Sequence, residues 1–250
     1  MKIYNSYTDS LEEFTTTHPG IVNMYVCGPT VYNYIHIGNA RPVVFFDTVR
    51  RYFESKGYTV KFVSNFTDVD DKIIKKSIEE NIPELELSKH YIEAFLNDLE
   101  SLNCKTDYIK PKVTEYMNHI IDYISNLIDK GYAYEIDGDV YFRVSKVKDY
   151  GVLGNRDVED LISGSRVEVN ELKENPLDFT LWKKTDEGLN FQSPFSQGRP
   201  GWHTECVAMI DDIFGEEIDI HGGGTDLKFP HHENEIAQGK ATHNHRVARY

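Results

Sequence analysis

The chain has 250 residues, of which 40% are hydrophobic and 27% charged, and its formal net charge is -14. That length can bury a sizeable core in one large domain, or in one domain that has an insertion. The acidic balance argues against a general polyanion binder, but it permits a local basic patch. No apolar run reaches the roughly 20 residues that span a bilayer, and the start lacks the apolar region of a signal peptide, so we expect a cytoplasmic protein.

The first part of the chain alternates strands and a helix. Residues 21–26 (IVNMYV) predict a short strand, residues 41–56 an amphipathic helix that ends at Gly57, and residues 58–66 a second strand. Strand, helix and strand in this order form a βαβ unit. Such a unit predicts an α/β fold with a parallel sheet and a ligand site at the strand ends.

The next segments are mainly helical and then change character. We predict helices over residues 71–80, 85–102 and 114–130. Residues 132–135 and 139–144 flank an Asp-Gly pair, which is a hairpin signal.

The segment from about residue 145 to residue 200 is polar, punctuated by glycine and proline, and poor in helical periodicity. We therefore take residues 115–200 as a module inserted into the α/β domain. A further buried strand is predicted over residues 217–220 (EIDI), just before HGGGTDLKFPHHENE.

The common glycine-rich phosphate loops are absent, since the sequence contains neither G-x-x-x-x-G-K-[ST] nor G-x-G-x-x-G. Residues 34–39 (YIHIGN) offer an alternative between a strand and a helix. Gly38 allows close backbone approach, the helix start attracts an anion, and His36 could donate to a phosphate. A simple strand-to-helix turn with a satisfied histidine explains the same residues.

A metal site is a second possibility. His231 and Glu235 are four residues apart and follow Pro230, which is typical of a first helical turn, so both would project from one helical face. Cys27 and Cys206 each stand at a plausible strand or loop end. Two thiolates, one imidazole and one carboxylate would make a tetrahedral zinc site. Small buried cysteines and a solvated HHENE helix start are the alternative.

Two other groups of residues are less specific. The third cysteine, Cys104, is interpreted as a buried residue at a helix end, and three widely spaced cysteines argue against a disulfide framework. The tail ATHNHRVARY contains His243, His245, Arg246 and Arg249, which could contact an anion, but a solvated terminal helix is the favoured interpretation.

Six stretches of the chain, in order, resemble cysteinyl-tRNA synthetases, and the resemblance runs from Ile3 to the last residue. Several stretches are long, which makes chance agreement improbable. The six stretches are CGPTVYNYIHIGNARP (27–42), FTDVDDKI (66–73), GDVYF (138–142), PLDFTLWK (176–183), GRPGWHTEC (198–206) and DIHGGGTDLKFPHHENEIAQ (219–238).

The resemblance implies a class I synthetase with a Rossmann-type catalytic domain in two parts, residues 1–114 and 201–250, around a connective insertion over residues 115–200. Members of that family continue with a lysine-bearing KMSKS loop and a helical domain that reads the tRNA. We therefore expect either a catalytic-domain fragment of a longer enzyme or a shortened paralogue.

The resemblance also implies roles for individual residues. The implied zinc ligands are Cys27, Cys206, His231 and Glu235. The region that corresponds to the HIGH signature implies ATP contacts for Pro29, Thr30, His36, Gly38 and Asn39, with His36 and Asn39 catalytic. The implied amino-acid pocket consists of Gly28, Thr67, Trp202 and His221.

Three of these residues have open alternatives. Asn39 stands where the signature has histidine, and since its amide still donates, we expect altered phosphate contact rather than loss of activity. Trp202 could instead be a core tryptophan, and His221 could simply orient the HGGG turn.

The activity that the resemblance implies is ATP-dependent activation of L-cysteine to cysteinyl-adenylate, followed by transfer to tRNA(Cys). One Zn²⁺ would select the substrate thiol and Mg²⁺ would accompany ATP. A monomer is favoured. The alternatives are a cysteine ligase paralogue that acts on an amino sugar, and an inactive zinc-binding fragment.

Overall fold

The computed structural model describes residues 1–154 and 172–250. The strands in these ranges are β1 (Lys2–Asn5), β2 (Ser10–Glu13), β3 (Ile21–Val26), β4 (Thr59–Ser64), β5 (Ala133–Ile136), β6 (Asp139–Phe142), β7 (Phe179–Lys184), β8 (Phe191–Gln192), β9 (Gln197–Pro200) and β10 (Ile220–Gly222). The α-helices are α1 (Ile37–Ser55), α2 (Asp71–Glu80), α3 (Glu84–Ser101), α4 (Met117–Asp129), α5 (Trp202–Phe214) and α6 (Glu233–His243).

Shorter helical turns cover Val113–Tyr116, Val144–Lys146 and Thr225–Leu227, and an irregular turn covers Lys228–His232. Within the described ranges, none of the helices combines the length and the apolar character that crossing a membrane requires.

The described residues form two compact units. The smaller unit consists of residues 15–116 and 218–224, and the larger unit of residues 1–14, 117–154, 172–217 and 225–250. The predicted boundaries of the catalytic parts and the insertion, near residues 114 and 200, stay predictions.

The smaller unit is built on a parallel sheet with β3 in the centre, β4 on one side and β10 on the other. Five consecutive residues of β3, from Val22 to Val26, are buried, as expected for a strand covered on both faces. The predicted βαβ unit is confirmed, and β3 has its predicted bounds. The α/β fold and parallel sheet are thus present.

Two elements of the smaller unit begin several residues away from their predicted starts. Helix α1 begins at Ile37 instead of residue 41, because His36 caps it. Strand β10 begins at Ile220 instead of residue 217. Here the buried Asp219 carboxylate accepts hydrogen bonds from the backbone N–H groups of Thr17 at 2.6 Å and Asn23 at 2.8 Å.

Helices α2 and α3 bury an apolar cluster in the smaller unit. Phe66 meets Phe95 edge-on, with ring centroids 5.5 Å apart, and Ile73, Leu87 and Leu99 complete the centre. Helix α2 has its predicted bounds because its ends carry clear signals: Asp70 caps the first turn, and Asn81 takes a left-handed conformation after the last.

The larger unit contains an antiparallel sheet in the order β5-β6-β7-β9-β8. The predicted hairpin is confirmed, and its turn places Asp137 and Gly138 at φ of 55° and 91°, as a two-residue hairpin turn requires. Strands β7, β8 and β9 were not predicted from the sequence, because they lie in a segment rich in polar residues and glycine. Part of the predicted module, residues 155–171, lies outside the described residues.

Three helices pack in the larger unit. The hydroxyls of Tyr123 in α4 and Thr242 in α6 form a hydrogen bond of 3.0 Å.

Glu233, the first residue of α6, is buried, and its carboxylate accepts hydrogen bonds from the backbone N–H groups of Leu153 at 2.8 Å and Gly154 at 3.3 Å. Burial outweighs these hydrogen bonds and raises the pKa of Glu233.

Replacing Asp219 tests the hydrogen bonds that connect β3 and Thr17 to the residue before β10. Asp219→Ala leaves the N–H groups of Thr17 and Asn23 without their acceptor, and we expect the free energy of unfolding to fall by about 3 kcal/mol. Urea titration measures this fall. The matched control is Asp186→Ala at an exposed position, and equal losses in both variants would contradict the assigned role.

Candidate functional site

A thiol, an imidazole and a carboxylate converge inside the larger unit. Cys206 lies in α5, His231 in the irregular turn before α6, and Glu235 in the first turn of α6. Their ligand atoms lie within 4.8 Å of one another. His231 Nε2 is 3.3 Å from Glu235 Oε1. The two side chains thus lie together as predicted, but His231 precedes α6 and does not share a face of that helix with Glu235.

These three groups are almost fully buried, at 2%, 1% and 0% exposure for Cys206, His231 and Glu235. Burial alone would lower the pKa of His231, but the Glu235 carboxylate and the Cys206 thiol outweigh it and raise that pKa. Sulfur, imidazole nitrogen and carboxylate oxygen are the donors that Zn²⁺ takes in proteins. The donor set therefore fits zinc.

The His231 ring is held by its neighbours. The Trp202 ring stacks on it with centroids 4.3 Å apart, and His203 Nδ1 lies 2.9 Å from His231 Nδ1. Burial, with the nearby His231, lowers the pKa of His203 to about 3, so His203 is neutral at pH 7. The Gln238 amide in turn donates to the His203 backbone carbonyl at 2.8 Å.

Sequence reasoning missed His203. It precedes Cys206 by three residues, a helical spacing that brings it to the same flank of α5. That spacing could have indicated that His203 lies near Cys206, but only if the segment had been predicted as a helix, and it was not.

Two local predictions for the larger unit, and one of the alternatives, are wrong. Cys206 is not at a strand or loop end but inside α5. Pro230 is not a first-turn proline, because the Phe229–Pro230 peptide is cis and α6 begins at Glu233. Trp202 is not a core residue, since 43% of it is exposed.

The smaller unit places other predicted residues at one edge of its parallel sheet. Cys27 follows β3, and its Sγ lies 3.8 Å from Nε2 of His221 in β10. His221 Nδ1 is 3.2 Å from the carbonyl oxygen of Tyr25, which can only accept, so Nδ1 bears the proton. The unprotonated Nε2 therefore faces the thiol. Trp202, the fourth predicted pocket residue, belongs to the larger unit.

Backbone pairing continues beyond β3 and β4 at this edge. The N–H of Thr67 donates to the Pro29 carbonyl oxygen, and the N–H of Val31 donates to the Thr67 carbonyl oxygen, both at 3.1 Å. These two hydrogen bonds pair Thr30 with Thr67 in an isolated parallel β-bridge. Gly28 donates to the buried Asn65 side chain at 2.9 Å. A Cβ at Gly28 would lie 1.6 Å from the Asn65 carbonyl oxygen, so only glycine fits here.

The HIGN segment starts helix α1. His36 is the N-cap: its Nδ1 accepts the Gly38 N–H at 3.0 Å, while Asn39 Oδ1 accepts the His36 N–H at 3.4 Å. A Cβ at Gly38 would lie 2.7 Å from the His36 ring, which explains the glycine. Because Nδ1 is an acceptor, the neutral ring holds its proton on Nε2.

The fold is that of class I aminoacyl-tRNA synthetases. The structure resembles Mycobacterium tuberculosis methionyl-tRNA synthetase in complex with methionyl-adenylate, with a TM-score of 0.70 at 13% identity. The match covers 92% of this chain and 56% of that one. A putative arginyl-tRNA synthetase from Campylobacter jejuni gives a TM-score of 0.59 at 14% identity, over 92% of this chain and 53% of that one. The predicted Rossmann-type fold is confirmed.

The family is narrower than the fold. Residues 13–250 match the family described as tRNA synthetases class I (C) catalytic domain, and the chain belongs to it. It is 57% identical to a cysteine–tRNA ligase of Carboxydothermus hydrogenoformans and 54% identical to one of Finegoldia magna, over 100% of this chain. The match covers 54% and 55% of those proteins, so the chain spans about half their length.

Substitutions in the buried cluster test whether it binds zinc. We expect Cys206→Ser and Glu235→Ala each to weaken zinc binding by more than about 10-fold. Loss of a residue that only orients a ligand already costs about that much, and these variants remove a ligand atom itself. Competition with a chromogenic chelator measures the affinity. Cys104→Ser is the control, because it removes another buried thiol, and unchanged affinity in both ligand variants would exclude this ligand set.

Proposed function

We propose that the chain is the ATP-dependent catalytic part of a cysteine–tRNA ligase. It would join L-cysteine to the α-phosphate of ATP and then pass the cysteinyl group to tRNA(Cys). The observation that supports this most is the buried thiol, imidazole and carboxylate cluster in a chain of this family. We propose a monomer in which residues 115–200 are the connective insertion.

The proposed zinc ligands are Cys27, Cys206, His231 and Glu235. Bound by them, Zn²⁺ would supply a soft Lewis acid that prefers the substrate thiolate to a hydroxyl. Serine and cysteine are too similar in shape for an ordinary pocket to separate them well. His203 and Trp202 would keep the His231 ring in one orientation through the contacts described above.

The proposed amino-acid pocket consists of Gly28, Thr67, Trp202 and His221. Thr67 is held by backbone pairing, and the Gly28 N–H donates to the buried side-chain oxygen of Asn65. His221 is held by the Tyr25 carbonyl. Sites on rigid elements keep a reacting group in place, and such positioning lowers the barrier for a two-substrate reaction.

The proposed ATP site lies around the start of α1. The His36 Nε2–H would donate to a phosphate, and the first N–H groups of the helix would attract the negative charge. Pro29, Thr30, Gly38 and Asn39 would surround the nucleotide, with Mg²⁺ bound to its phosphates. In the first step a carboxylate oxygen of cysteine attacks the α-phosphorus, the bond from that phosphorus to the α–β bridging oxygen breaks, and pyrophosphate leaves. In the second step a hydroxyl of the terminal ribose of the tRNA attacks the carbonyl carbon, the acyl–phosphate bond breaks, and AMP leaves.

Calorimetric titration tests the amino-acid site directly. We expect the zinc-loaded chain to bind L-cysteine, to give no signal with L-serine, and to lose cysteine binding after the metal is chelated. Cys104→Ser is the matched control, which should titrate like the unmodified chain. Equal binding of both amino acids, or cysteine binding without metal, would contradict selection by zinc.

The acceptor separates two related activities. We expect labelled cysteine to be transferred to tRNA(Cys). Transfer to an amino sugar but not to tRNA would replace the proposal with that of a ligase paralogue.

Two substitutions at His36 separate its cap from its proposed phosphate contact. His36→Asn keeps an N-cap acceptor but removes the Nε2 donor, whereas His36→Ala removes both. We expect the rate of cysteine-dependent pyrophosphate exchange to fall by about 100-fold in both variants, because each loses one hydrogen-bond donor to the charge that develops in the transition state. Cysteine binding should stay nearly intact. Full activity in His36→Asn, or weakened cysteine binding with normal exchange, would contradict the phosphate role.

A further inference from the structure

Two imidazole rings meet at the edge of the buried cluster in the larger unit. His203 Nδ1 lies 2.9 Å from His231 Nδ1, which is hydrogen-bond distance. Both nitrogens cannot hold a proton, and both cannot present a lone pair, so one of them donates and the other accepts. The direction of this hydrogen bond decides which nitrogen of His231 is bare.

The second ring nitrogen of His231 faces the other members of the cluster. Its Nε2 lies 3.3 Å from Glu235 Oε1, and the ligand atoms of Cys206, His231 and Glu235 lie within 4.8 Å of one another. Because His203 occupies Nδ1, Nε2 is the nitrogen that a metal ion in this cluster would meet. The metal needs a lone pair there, so the proton of the neutral His231 ring has to be on Nδ1.

That proton assigns the opposite role to His203. When the His231 Nδ1–H donates, His203 Nδ1 accepts, and the His203 proton is on Nε2. His203 is only partly buried, and its Nε2 is not a buried atom without a partner, so water can accept from the Nε2–H. Metal-bound histidines commonly donate their second N–H to a carboxylate, a backbone carbonyl or water. Here the acceptor is a second imidazole.

The accepting ring is restrained by its surroundings. The Phe179 ring meets the His203 ring edge-on with centroids 5.8 Å apart, and the Trp202 ring centroid lies 5.3 Å away. The fully buried Gln238 donates to the backbone carbonyls of His203 at 2.8 Å and Asn234 at 3.1 Å. This amide connects the first turn of α5 to α6, so the acceptor sits on regular elements and not on a loop.

We propose that His203 is a positioning residue for the metal site, whose Nδ1 accepts the Nδ1–H of His231 and so keeps His231 Nε2 free to bind the metal. A His231 ring without this acceptor would also adopt the tautomer that has its proton on Nε2, where no metal binds. The choice of zinc as the metal rests on the proposed function, whereas the direction of the hydrogen bond rests on the two distances. His203 acts through His231 and is not itself a ligand.

The first test reads the tautomers directly in the unmodified, zinc-loaded chain. Long-range ¹H–¹⁵N correlation spectra of ¹⁵N-labelled histidines distinguish protonated, bare and metal-bound ring nitrogens. We expect His231 to have its proton on Nδ1 and the metal on Nε2, and His203 to have its proton on Nε2. Metal on His231 Nδ1, or a proton on His203 Nδ1, would overturn the proposal.

Two substitutions then separate the hydrogen bond from ring packing. His203→Phe keeps an aromatic ring but removes the acceptor, and we expect the zinc affinity to fall by about 10- to 100-fold, as for other residues that support a metal ligand. His203→Asn keeps an acceptor oxygen on Cγ, the atom to which Nδ1 is attached in histidine, and should regain most of the lost affinity. Competition with a chromogenic chelator measures both changes.

The matched control is His119→Phe, the same change at a histidine of α4 whose side chain is 54% exposed. It should bind zinc as the unmodified chain does. Unchanged affinity in His203→Phe, equal losses in His203→Phe and His203→Asn, or an equal loss in the control would each overturn the proposal. If His203→Phe does not fold, the spectrum of the unmodified chain still decides between the two directions of the hydrogen bond.

Titration of the unmodified chain with L-cysteine separates this proposal from the proposed function. The expected tautomers and zinc affinities without cysteine binding would support the positioning role and overturn zinc as the selector of the substrate thiol. Failure of the unmodified chain to bind zinc would overturn both.

Discussion

Continuous backbone pairing past the ends of β3 and β4 is the constraint on which the smaller unit depends. The hydrogen bonds of Thr67 with Pro29 and Val31 extend the parallel register beyond the regular strands. They fix Gly28 against Asn65 so closely that no side chain is possible at position 28. The backbone pairing and the buried Asn65 side chain, which accepts the Gly28 N–H, together set the positions of the groups at the sheet edge.

The larger unit relies on a different interaction, the burial of polar groups. A carboxylate, an imidazole and a thiol at 2% exposure or less would be costly without compensation, since desolvation penalises each charge. Their mutual contact offsets part of that cost, and a cation would offset more. The surrounding rings of Trp202 and His203 contribute shape rather than charge, because His203 stays neutral.

The sequence predicted best those elements whose ends carry local signals. Strand β3 is a continuous apolar run, and α2 has an aspartate cap and a left-handed asparagine, so both have their predicted bounds. The start of α1 was misplaced because histidine is an unusual cap. Strands β7 to β9 were missed because their apolar pattern is interrupted, and the neighbours of His231 depend on tertiary contacts that no spacing encodes.

Helix α6 assigns different surroundings to two glutamates that are only two positions apart. Glu233 faces the backbone of Leu153 and Gly154, and Glu235 faces His231. Each residue in a helix is turned by about 100° from the one before it. Inserting or deleting one codon between His231 and Glu235 would therefore turn the wrong side chains toward both partners. This segment of the gene should tolerate changes of length far less well than the hairpin loop at Asp137.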